Sequence, residues 1–159
     1  MKVLYAPHEP SRTAIDRISK RFKRSGYRNT TFTKKSDMTL SSDRLIIVGV
    51  VGVLSKLYWQ GIIAFVGGGL TTGIHNVMEP AIARLPVLFG PKYHHAHEAE
   101  ELLKFGGGFC INGQYEFHEK IIQLINDRKY LKLTSLAATD VIHKNLGSST
   151  RIIRNLLSD

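Results

Sequence analysis

The segment Val66–Pro91, VGGGLTTGIHNVMEPAIARLPVLFGP, gathers the residue types that could hold a phosphorylated sugar. An apolar run ends in Gly67, Gly68 and Gly69, and Gly73, His75, Asn76 and Glu79 follow within a few positions. Backbone N–H groups at a helix start lack intrahelical partners and carry the positive end of the helix dipole, so phosphate is favoured there without a side-chain cation. A carboxylate one turn further in, Glu79, can accept hydrogen bonds from ribose hydroxyls. His75 and Asn76 offer neutral donors to a phosphate or a sugar carboxylate, and Gly73 lets backbone approach a ligand just before the helix. The order of glycine turn, His75-Asn76, Glu79-Pro80 and a second strand ending in Gly90-Pro91 reads as a nucleotide site.

Other chemistries fit less well. Gly68 and Gly73 have the separation of a Walker loop, but Ile74-His75 stand where Lys-Ser/Thr is needed, which argues against ATP hydrolysis. Thr72 occupies the last glycine position of a dinucleotide fingerprint. A turn that needs glycine only for positive φ, and a first-turn acid at Glu79 that merely complements the helix dipole, are the plain structural alternatives. His94, His95 and His97 have no accompanying cysteine and no carboxylate at a diagnostic spacing, so a metal is not expected, and the cluster is read as lining the ligand crevice. His8-Glu9, after the first strand, is a second candidate for donor contact. Cys110, between Phe109 and Ile111, reads as an inert core thiol.

Positioning such a site requires a sheet, and the chain alternates strands with helices. The expected strands are Val3–Ala6, Thr30–Thr33, Leu45–Val48, Ile62–Val66, Pro86–Phe89 and Phe109–Ile111. Leu45–Val48 is the continuous apolar run of a strand buried on both faces. The expected helices are one capped by Ser11 with Ile15, Ile18 and Phe22 inward, then Val51–Gln60, Asn76–Arg84, His95–Lys104 and Glu116–Asp127. Two terminal helices, about Lys129–Lys144 and Ser149–Leu157, complete the set. This pattern implies an α/β fold, a Rossmann-like doubly wound parallel sheet flanked by helices, with the ligand crevice beyond the carboxyl ends of the strands. At 159 residues the chain is the size of one domain and would bury roughly two-thirds of its unfolded surface. Residues 1–159 are expected to form a single nucleotide-sugar-binding domain.

Composition excludes several classes. An apolar content of 43% with 22% charged residues is that of a globular protein, not of a disordered or fibrous one. The longest apolar runs are about half the length of a spanning helix, and MKVLYAP does not read as a signal peptide. One cysteine permits no intrachain disulfide and suits a reducing compartment. The net charge of +9 is concentrated in Arg12–Lys35. Such a segment is either a solvated basic face or a surface for anionic lipid or nucleic acid, and no nucleic-acid motif accompanies it.

Taken together, APHE (Ala6–Glu9), Gly52-Val53-Leu54 followed by Leu57-Tyr58, IAFVGGG, GIHNVMEP, LPVLFGP and the Glu98–Phe109 stretch resemble the 3-deoxy-D-manno-octulosonic acid (Kdo) transferases, over most of the chain. The match looks like the C-terminal, nucleotide-binding half of a two-domain GT-B glycosyltransferase. The resemblance implies inverting, metal-independent transfer of Kdo from CMP-Kdo to the lipid A precursor at the cytoplasmic face of the inner membrane of Gram-negative bacteria, with no cofactor. It places Gly52 and Leu54 near cytidine, Gly67, Gly68, Gly69 and Gly73 around phosphate and sugar, and Glu79 on the ribose. His75 and Asn76 join them, with Pro7 and His8 completing the donor-binding set. The relatives' pattern has arginine at Pro7, glutamate at Val53 and glycine at Ile74. In that family the general base, the lipid-receiving surface and the membrane anchor belong to an N-terminal acceptor domain, so no catalytic residue is expected here, and this piece is expected to be soluble. A GT-B half for another nucleotide sugar, such as a UDP-sugar, and a basic module for lipid or nucleic acid are the competing readings.

Overall fold

In the computed structural model, residues 1–34 and 41–146 are described. The expected helix at Ser149–Leu157 lies outside the described residues, as does Lys35 at the end of the basic segment. The backbone divides into two compact units, Met1–Leu54 and Ser55–Asp159.

The first unit is a parallel sheet in the order β1-β3-β2, made of β1 (Val3–Tyr5), β2 (Asn29–Phe32) and β3 (Leu45–Val48), with α1 (Arg12–Arg24) between the first two. Val3 pairs with Leu45 and Tyr5 with Ile47, and Asn29 and Phe32 pair with Leu45 and Val48 on the other side. The central β3 is buried along its whole length, which explains its uninterrupted β-branched and leucine sequence. Ser11 caps α1, its Oγ accepting from the Ala14 N–H at 3.2 Å, and buried Ile15 faces the sheet. Gly49 makes room for it, because a Cβ there would stand 2.2 Å from Ile15 Cδ1. Ser19 of α1 donates to Asn29 Oδ1 at 2.7 Å and so ties the helix to β2.

The second unit is a parallel sheet in the order β4-β5-β6, from β4 (Ala64–Val66), β5 (Val87–Phe89) and β6 (Gly108–Cys110). Central β5 is fully buried. One face of the sheet is covered by α3 (Met78–Ile82), α4 (His97–Phe105) and α6 (Arg128–Leu146), which pack Ala81, Leu102, Ala138, Val141 and Ile142 against Val66, Val87 and Phe89. On the other face α5 (Gln114–Asn126) presses Leu124 onto Leu88 and Ile111. α2 (Leu54–Tyr58) precedes β4. The alternation is thus the parallel α/β one, with its strands distributed over two sheets of three.

Two helices are shorter than the periodicity predicts. α2 starts after Gly52, whose φ of 76° breaks the expected helix at its start. α3 has five residues instead of the stretch Asn76–Arg84. Asn76 is not a helical residue but stands before the N-cap Val77, its Oδ1 accepting from the Met78 N–H at 2.8 Å, and a side chain that bonds the backbone in this way favours the approach to a helix over its interior. Arg84, with φ of 64°, closes the other end.

Candidate functional site

The glycine run leaves β4 as a tight coil closed on its own backbone. Thr71 and Gly73 N–H both donate to Gly68 O, at 2.8 and 3.0 Å, and Thr71 Oγ1 adds a third contact at 3.2 Å. Gly68 sits at φ 87°, and a Cβ there would meet Gly73 O at 2.0 Å, so no other residue fits. Gly69 is in backbone contact with Gly90, each position leaving no space for a Cβ on account of the other. The exits of β4 and β5 are therefore fastened together, which is why both strands must end in glycine. Gly67, by contrast, has open space where a Cβ would be.

This closure changes the chemistry expected of the turn. Gly73, Ile74 and His75 N–H are engaged inside the protein, with Gly68 O, Lys92 O and Gly67 O. With α3 reduced to five residues, its dipole is also small. Exposed side chains add polar groups beside the turn. Asn76 Nδ2 donates to Glu79 Oε1 at 3.2 Å, so the amide that accepts from the Met78 N–H also holds the carboxylate in place. Glu79 remains exposed in the first turn of the helix, with His75 and Asn76 also at the surface. Its charge is felt by Tyr58, whose phenol is pushed above its ordinary value of 10.0 by burial and, secondarily, by the Glu79 carboxylate. Tyr58 is a neighbour of Glu79 that sequence alone leaves unassigned, for nothing in the spacing brings α2 beside α3.

The loop after β5 completes the rim. Lys92 N–H donates to Gly69 O at 2.9 Å, and its ammonium donates to Thr71 O, placing one cation over the glycine turn. A parallel pairing of β4 with β5 makes that proximity readable once Gly90-Pro91 is taken as a strand exit. Of the three expected histidines, His95 reaches the turn: its ring would lie 2.7 Å from a Cβ on Gly73, which has φ of 123°, and its Nε2 is 3.3 Å from Ile74 O. His94 and His97 instead face Glu100 and Glu101, at 3.7 and 3.9 Å. Among the described residues no group of three His, Cys, Asp or Glu side chains could hold a metal ion. Cys110 is half-buried, and burial followed by Glu116 pushes its thiol upward, in keeping with a thiol of low reactivity.

The remaining predicted residues belong to the first unit. Pro7 and His8 line an open cleft of about 530 Å³ with Ser11, Thr13 and Arg17, at the start of α1. Gly52 lies in the β3–α2 turn, where it needs its positive φ, and Leu54, the first residue of α2, is exposed. Val53 between them is buried, as is Ile74 in the second unit. Where the resembled pattern has a glutamate and a glycine, this chain has two core residues, so neither side chain is available to a ligand.

Comparison with known proteins gives this arrangement a lineage. No protein-family model matches the chain. The chain is 36% identical over 91 residues to the 3-deoxy-D-manno-octulosonic acid transferase of Aquifex aeolicus, an alignment covering 56% of this chain and 26% of that protein. This chain is a relative of the Kdo transferases. A second similarity, 34% identity over 120 residues, is to a bifunctional glycosyltransferase/methyltransferase of Fusobacterium nucleatum and covers 72% of this chain and 19% of that one. The chain therefore spans about a quarter or less of these relatives. In fold it matches the crystal structure of the C-terminal CMP-Kdo binding domain of WaaA from Acinetobacter baumannii, with a TM-score of 0.77 at 18% identity, over 89% of this chain and 73% of that one. The α/β arrangement of this chain is thus the fold of that domain.

Proposed function

We propose that this Kdo-transferase relative is the donor-binding half of a glycosyltransferase that moves Kdo from CMP-Kdo to the lipid A precursor. The observation that carries the reading is the relationship to the Kdo transferases over 91 residues, supported by the fold of a CMP-Kdo binding domain. In this reading Glu79, held by Asn76 Nδ2, accepts the ribose hydroxyls, and His75 and the glycine turn of Gly67, Gly68, Gly69 and Gly73 face the phosphate and the Kdo carboxylate. With Gly73, Ile74 and His75 N–H engaged internally, anion binding falls to the side chains around the turn and to the remaining backbone. Gly52 and Leu54 approach the cytidine, and Pro7 and His8 the sugar. The donor is a substrate, and no cofactor or metal enters the scheme. The lipid acceptor, the general base and the inner-membrane location belong to an N-terminal half of the enzyme, since a base must lie within hydrogen-bond reach of the acceptor hydroxyl.

Titration of the 159-residue chain with CMP, UMP and UDP, followed through the amide resonances of Gly67–Glu79, tests the donor. CMP should shift these resonances, with Glu79→Gln weakening the response about tenfold, the worth of one charge-assisted hydrogen bond. A response to UDP with none to CMP would assign the site to another nucleotide sugar.

A further inference from the structure

Helix α1 is a half-cylinder of positive charge. At ~100° per residue, Arg12, Arg17, Lys20, Arg21, Lys23 and Arg24 all fall on one half of its circumference, while Ile15, Ile18 and Phe22 take the other. The cations are exposed, and Asp16 is the one carboxylate among them. The ion pairs found among the described residues are His94–Glu100 and His97–Glu101, neither of them on α1. Helix physics accounts for Arg21, Lys23 and Arg24, which complement the negative end of the dipole in the last turn. It does not account for Arg12, which stands in the first turn where a cation is disfavoured, nor for like charges three and four residues apart that repel one another.

Such a face, kept without internal counter-charges, is matched by an external anionic surface. Two observations favour lipid. The apolar side of α1 is committed to its own sheet through Ile15, so the helix can lie on a headgroup layer but not sink into it. Beyond α1 the chain turns at Gly26, φ 84°, and presents Tyr27, 62% exposed, beside Arg28; a phenol at the edge of a cationic face suits the headgroup level. We propose that this face of α1 docks the protein on an anionic lipid surface by charge alone. The proposal goes beyond the donor-binding reading and does not depend on it.

Co-sedimentation of the whole chain with phosphatidylcholine vesicles, with and without phosphatidylglycerol, tests it. Binding is expected only with the anionic lipid and is lost at high salt. Lys20→Gln/Arg21→Gln/Arg24→Gln should weaken it about a hundredfold, at roughly fivefold per charge. The charge-matched Arg128→Gln/Lys129→Gln/Lys132→Gln on α6 should change it no more than about threefold, since those residues are not part of α1. Should the α1 triple variant lose its far-ultraviolet circular dichroism, the single exposed change Lys20→Glu reads the same loss on a smaller scale. Equal binding to neutral vesicles, no binding to either, or equal weakening by the α1 and α6 variants overturns the proposal. Tighter binding to duplex DNA than to anionic vesicles also overturns it, assigning the face to nucleic acid.

Discussion

Adjacent glycines at the end of β4 differ in what they tolerate. A methyl group at Gly68 would have to occupy the position of Gly73 O while the backbone stays at φ 87°, so Gly68→Ala should cost about 3 kcal/mol from strain and overpacking together. Gly67 lacks both constraints, and Gly67→Ala should leave stability within about 0.5 kcal/mol. Urea unfolding of the two variants against the parent measures the difference, and equal midpoints would mean that the coil is not closed as described. The same pair separates fold from function, for a Gly67 methyl group that spares stability but blocks CMP would put that backbone against the donor. At this scale the residue types at the site were legible in the sequence while their partners were not. Glu79 and Asn76 announce a polar site by type and spacing, but that Asn76 at once bonds the Met78 N–H and holds Glu79 is a matter of side-chain direction. Tyr58, Lys92 and His95 come to the site through pairings between elements, which spacing along the chain does not encode.

Elements were most legible where burial is complete. β3 and β5 are the central strands of their sheets and are apolar at every position, so the run of residues is itself the signal. Helix ends were less so, because Asn76, Gly52 and Arg84 act through local backbone geometry that outweighs periodicity. Gly107 shows what the sequence conceals altogether. Preceding β6, it reads as a helix stop beside Gly106, whose φ of 78° does end α4. Yet a Cβ on Gly107 would stand 2.4 Å from both the N and the Cα of Ala138, so this glycine is the seat of α6. Backbone cannot swing aside as a side chain can, and Gly107→Ala should destabilise the fold by about 2–3 kcal/mol. Gly113, at the start of α5 with open space around it, should accept alanine at a cost of no more than about 1 kcal/mol. Thermal unfolding of both variants distinguishes a seat for α6 from a general intolerance of substitution near β6, in which case the two midpoints would fall together.

At the scale of the whole molecule, each unit holds its own parallel sheet, with Pro7, His8, Gly52 and Leu54 in the first and the glycine turn and Glu79 in the second. Among the described residues no helix is long and apolar enough to cross a membrane. The chain also spans only 26% of the Aquifex aeolicus transferase, so a donor site here need not be accompanied by an acceptor site. Transfer requires both, because lowering the barrier depends on a carboxylate set against the acceptor hydroxyl as well as on a positioned donor. The expected outcome for the 159-residue chain is therefore a divided one. Supplied with CMP-Kdo and a lipid A precursor, it should bind nucleotide and yield no Kdo-bearing lipid by mass spectrometry beyond a protein-free control. Addition of the amino-terminal half of a Kdo transferase could restore product only if the two halves associate. Product from the chain by itself would show that it carries an acceptor site and a base of its own, and the exposed carboxylates flanking the two clusters, Glu9 and Glu79, would be the first to replace.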